Sequence, residues 1–108
     1  MSALSAYAAA IHQLPSAQRI VRQHSEQSSW QESDCTVRRW ATTYEFADGR
    51  VIRRSVEQDD LPAAALCAEC WITYEVLADG AAPLPLEPRR QTFDNACRET
   101  FWLRYHNA

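Results

Sequence analysis

The chain has 108 residues, 46% hydrophobic, 10% aromatic and 23% charged, enough for one domain with one hydrophobic core and too little for a second. A radius of gyration of roughly 13 Å is expected at this size, which disfavours a deep cavity for a large cofactor, and with only Gly49 and Gly80 as glycines neither a dinucleotide fingerprint nor a P-loop can be written anywhere. The net charge of −3 argues against broad attraction to phosphates or anionic lipid.

The first ten residues lack the basic region of a signal peptide, and the apolar run breaks at His12-Gln13, so a cytoplasmic address with no membrane span is expected. There the four cysteines, Cys35, Cys67, Cys70 and Cys97, are expected to stay reduced. Leu4, Tyr7, Ile11 and Leu14 share a narrow helical arc with His12 opposite, which predicts an amphipathic helix over 3–14, ended by Pro15. Ser16 suits the cap of a second N-terminal helix in which Ala17, Ile20, Val21 and His24 share a face. Residues 25–33 are polar and read as a loop.

From Cys35 to Val56 the period changes to two, predicting a β-hairpin over 35–57. Ala47-Asp48-Gly49 supplies the turn, with Gly49 left-handed, and the register sets Tyr44 against Ile52 and Trp40 against Val56. Asp59-Asp60-Leu61-Pro62 has the pattern of a helix start, which alanines 63 to 65 continue. Residues 70–77 read as a strand, and Ala78-Asp79-Gly80 repeats the first turn. A return strand over 82–86 is expected at a sheet edge, where Pro83 and Pro85 are tolerated. Thr92 then caps a helix over 92–105. These elements give one α+β domain: two N-terminal helices, an antiparallel sheet of three or four strands and a C-terminal helix.

Cys67-Ala68-Glu69-Cys70 has the spacing of a zinc or redox pair. Together with His24-Ser25-Glu26 it resembles the zinc deaminase pattern, His-x-Glu followed by Pro-Cys-x-x-Cys, with Leu66 in place of the proline. A zinc or redox protein is therefore one alternative reading. Arg38-Arg39, Arg53-Arg54 and Arg89-Arg90 with Trp40 and Tyr44 suggest another, an RNA-binding module, against which Glu45, Glu57 and Glu75 dilute the charge.

The last helix is the most informative segment. Its wheel puts Phe93, Ala96, Cys97, Thr100, Phe101 and Leu103 on one arc, read as core-facing, and Trp102 on the opposite side among Arg98, Glu99 and His106, with Tyr105 beside Arg98. Tryptophan, tyrosine and arginine are the residues of interaction hot spots. The favoured expectation is a small non-catalytic bacterial regulatory protein that inhibits or sequesters another protein, such as a transcription regulator or a toxin, through Trp102, Arg98, Phe101 and Tyr105. Its format is that of anti-activators, immunity proteins and inhibitors. The same face also suits a homodimer, or plain core packing. All basic residues being arginine fits carboxylate and aromatic contacts and equally a GC-rich genome. No catalytic residue, metal or cofactor is assigned.

Overall fold

The computed structural model describes residues 3–32, 35–59, 69–81 and 84–107. Helix α1 (Leu4–Ile11) is followed by five strands, β1 (Ile20–Glu32), β2 (Cys35–Phe46), β3 (Val51–Asp59), β4 (Glu69–Ala78) and β5 (Arg90–Asn95), and then by α2 (Ala96–His106). The strands form one antiparallel sheet in the order of the sequence, β1-β2-β3-β4-β5. The α+β class therefore holds, with one helix before the sheet rather than two and with five strands.

Strand alternation sorts the side chains cleanly. Ile52 pairs with Tyr44 and Val76, Val56 with Trp40 and Ile72, and Ile72 with Phe93, so these residues share one face. Both helices lie on that inner face, where Leu4, Tyr7 and Ala8 of α1 and Leu103 of α2 join Phe46, Ile52, Ile72, Tyr74, Leu86 and Phe93 in one buried cluster. Burial of these apolar surfaces is the main driving term for the fold. The expected pairs Tyr44 with Ile52 and Trp40 with Val56 are present, and Gly49 takes φ +91 in the turn between β2 and β3.

The expected second helix is a strand instead. Ser16 does not cap a helix: its hydroxyl donates to the Ala6 carbonyl at 2.7 Å and accepts from the Gln18 amide at 3.1 Å, a local turn that releases the chain into an extended path. Residues 20–32, including the stretch read as a loop, then pair along β2. Helix α1 also stops earlier than expected, because Gln13 turns left-handed at φ 61. Leu14 is exposed as a result.

Two further boundaries move. The return strand runs over 90–95 rather than 82–86. Within the latter span only 84–86 is described, outside any strand, with Leu86 buried and Leu84 exposed. The final helix begins at Ala96, capped by Asn95, whose side chain accepts from the Arg98 amide at 2.8 Å, so Thr92 is a strand residue and not a cap. Asp59 closes β3, and the short helix expected to follow it lies outside the described residues. Among the described residues no helix is long and apolar enough to cross a membrane.

Candidate functional site: the groove between β5 and α2

Strand β5 ends the sheet and runs directly into α2, so the open edge of the strand and the flank of the helix enclose a groove of about 780 Å³. Arg98, Phe101, Trp102 and Tyr105 all line it, with Phe93 and Trp71 from the sheet. The four residues singled out from the helix therefore do lie together. Their orientations, however, differ from the wheel. Phe101 and Tyr105 are 70% and 71% exposed, and their rings stack at 6.2 Å between centroids. Trp102 is half-buried and packs inward, 5.2 Å from the Phe93 ring and 5.6 Å from that of Tyr74. The arc read as core-facing thus presents Phe101 outward, and the indole expected outside forms the groove's floor.

Glu99 takes the inward position instead. It is buried on the inner side of α2 at the sheet, where Arg54 of β3 donates to its two carboxylate oxygens at 2.9 and 3.0 Å and Tyr74 of β4 donates at 2.5 Å. A bidentate arginine is the geometry that best compensates a buried carboxylate. His12, just after α1, completes the set: its Nε2 lies 2.7 Å from the Tyr74 hydroxyl and 3.4 Å from Glu99. Since the tyrosine hydroxyl donates to Glu99, its oxygen is free to accept from the imidazole. His12 therefore faces the interior and not solvent as the wheel suggested.

Burial works against the ionised Glu99, but the donors from His12, Arg54 and Tyr74 outweigh it and hold the carboxyl at about 2. Burial and the Glu99 charge push the Tyr74 hydroxyl far above its ordinary range. Glu99 and Tyr74 thus stand to each other as acceptor and donor, with Arg54 completing a buried clamp. Arg98, on the solvent side, pairs with Asp94 at 3.1 Å in an exposed bridge one turn apart; such bridges contribute little to stability and leave arginine available at a rim.

The rival sequence readings fall on scattered residues. His24 is exposed on β1 and lies 3.5 Å from Glu26, while Cys67 is outside the described residues. Cys70 is a half-buried free thiol whose pKa is raised by burial and by Glu99. Cys97, expected to be reduced and buried, is disulfide-bonded and exposed. Among the described residues no three His, Cys, Asp or Glu side chains converge as metal ligands would. Within the arginine pairs of β2 and β3, neighbours point to opposite faces. Most are engaged: Arg39 pairs with Glu57, Arg53 with Glu75, Arg54 with Glu99 and Arg89 with Asp79.

The buried clamp of Arg54, Tyr74 and Glu99 is what sequence reasoning missed. Its one sequence trace is an acidic residue, Glu99, flanked on the helix by aromatic residues at 101 and 102, and without knowing which strand faces α2 that trace has no partner. Comparison with protein-family models, curated proteins and solved structures finds no match to this chain.

Proposed function

We propose that this chain is a non-catalytic regulatory protein that inhibits or sequesters another protein by seating a segment of it in the groove between β5 and α2. One observation carries the reading: Phe101 and Tyr105 stand exposed and stacked over a groove whose floor is the Trp102 indole and whose rim carries Arg98. Exposed aromatic rings beside an arginine, around a partly desolvated floor, have the composition of a binding hot spot. The rings contribute little to the core, so folding alone gives no reason for their placement.

In this mechanism Phe101 and Tyr105 clamp an apolar side chain of the partner against Trp102, and Arg98 exchanges its exposed bridge to Asp94 for a partner carboxylate. The test is affinity capture from the native host with wild type, Phe101→Ala and Tyr105→Ala, with the fold checked by circular dichroism. A partner recovered by wild type and lost by both variants is the expected result. Equal recovery by all three overturns the reading.

A further inference from the structure

The phase of the β4–β5 ladder decides which backbone groups the sheet edge leaves open. The Val76 amide donates to the Arg89 carbonyl at 2.9 Å, and the same register sets Tyr74 opposite Gln91 and Ile72 opposite Phe93. Residues 89, 91 and 93 therefore aim their amides and carbonyls at β4, while Arg90, Thr92 and Asp94 aim theirs away from the sheet. The register shift between Glu69 and Ile72 puts the extra residue in β4, so the alternation of β5 holds through Asp94. Among the described residues nothing pairs with this edge, and open edge groups are a template for another strand.

The sequence of β5, Arg90-Gln91-Thr92-Phe93-Asp94, is self-complementary in charge. An antiparallel pairing that uses the open groups can centre on any residue from Arg90 to Asp94, and centring on Gln91 or Phe93 sets Arg90 or Asp94 against Thr92, with no opposite charge across the pair. Centring on Arg90 sets two arginines against each other, and centring on Asp94 sets two aspartates. Centring on Thr92 puts each Arg90 opposite the other copy's Asp94, with Gln91 and Phe93 facing on the helix-covered side. We infer that a second copy of this chain docks antiparallel on β5, Thr92 against Thr92, joining two five-stranded sheets into one and covering Phe101 and Tyr105 between the two α2 helices. This rests on reading the groove as a polypeptide-binding surface. It makes self-association and capture of another protein compete for one edge, so that protein concentration regulates the second.

Sedimentation equilibrium of the full chain tests it. Wild type is expected to dimerise, and Arg90→Glu or Asp94→Arg alone to weaken the dimer by about tenfold or more, since each opposes like charges. The Arg90→Glu/Asp94→Arg double variant restores opposite charges and is expected to dimerise like wild type, a rescue that a merely structural role would not give. Thr92→Pro removes one outward amide while leaving the ladder to β4 intact, and is expected to be monomeric. A wild type that stays monomeric to about 100 μM, far above the range of specific dimers, overturns the inference, as does a double variant no better than the singles. If wild type is monomeric yet loses its captured partner on Phe101→Ala, the second copy is removed and the partner reading stands. If it dimerises through β5 while Phe101→Ala keeps the partner, the reverse holds.

Discussion

Glu99 is 4% exposed and still ionised, because the donors around it replace the water it has lost. Its carboxyl sits at about 2, below the ordinary 4.5, so the unfolded chain binds the proton more readily than the folded one. The resulting stabilisation is fully present above about pH 4.5 and is lost as the pH falls toward 2. Asp48 and Asp79 are also held low and add to the acid sensitivity, so the informative quantity is the difference between wild type and Glu99→Gln. Urea unfolding from pH 7 down to pH 2 should show the variant losing less stability over this range than wild type. At pH 7 it should be weaker by about 3 kcal/mol, because Arg54 is left without its counter-charge. Parallel curves for the two proteins would contradict the clamp. The groove residues divide in the same assay: Trp102→Ala removes a ring packed on Tyr74 and Phe93 and should cost about 2–3 kcal/mol. Phe101→Ala removes an exposed ring and should change stability by no more than about 0.5 kcal/mol. The separation matters for function, since Phe101 and Tyr105, unlike Trp102, can be removed without confusing lost binding with lost folding.

The repeated Ala-Asp-Gly tripeptide has a structural reason at the scale of elements. The two turns lie against each other at one end of the sheet, with Gly49 and Gly80 in contact, and Arg50 is buried between them. Its guanidinium donates to the Tyr7 hydroxyl and to the Leu84 carbonyl, each at 2.5 Å, and approaches Asp48 at 3.4 Å and Asp79 at 3.5 Å. One arginine thus ties α1 to both turns and to the segment that leads toward β5. A Cβ on Gly80 would sit 2.6 Å from the Gly49 carbonyl carbon, and Gly80 is left-handed at φ +61. Gly80→Ala should therefore lower stability by about 2 kcal/mol or more, exceeding Gly49→Ala, where the nearest contact is 3.2 Å; thermal melts of the two variants check the order. The hairpin 35–57 was legible because apolar alternation and a glycine turn both pointed to it. β1 was not, because its apolar residues Ile20 and Val21 stand next to each other and only the exposed Trp30 interrupts the polar remainder of the strand, so its pairing comes from β2 and not from a buried face. β5 was hidden for a related reason: Phe93 fits a helix arc as well as a strand face, and Thr92 is as acceptable at a cap as in a ladder. The site residues were legible by type, while their facing was not, since the wheel gave no weight to a buried glutamate.

Over the whole molecule, burial is unevenly distributed. The extents are 47 × 27 × 20 Å and the radius of gyration is 14.8 Å, above the roughly 13 Å of a compact domain of this length. The excess is consistent with the long β1–β2 hairpin, because residues 21–31 of β1 are exposed on both faces of the strand. Their stability is therefore that of a ladder with water on both sides, whereas Ile52, Ile72 and Tyr74 in β3 and β4 are almost wholly covered. A strand that buries so little apolar surface should open without the core opening. Native-state hydrogen exchange is expected to show β3 and β4 amides exchanging through global unfolding, and β1 amides at least about a hundredfold faster through local opening. Equal protection of β1 and β4 would mean that the hairpin folds as one unit with the core. The charges along β1, Arg22 and Glu26 among them, then have a physical role: a long edge that faces water on both sides resists joining other edges when it carries charge. On the proposed reading, β5, short and bordered by aromatic rings, is the edge that receives another strand.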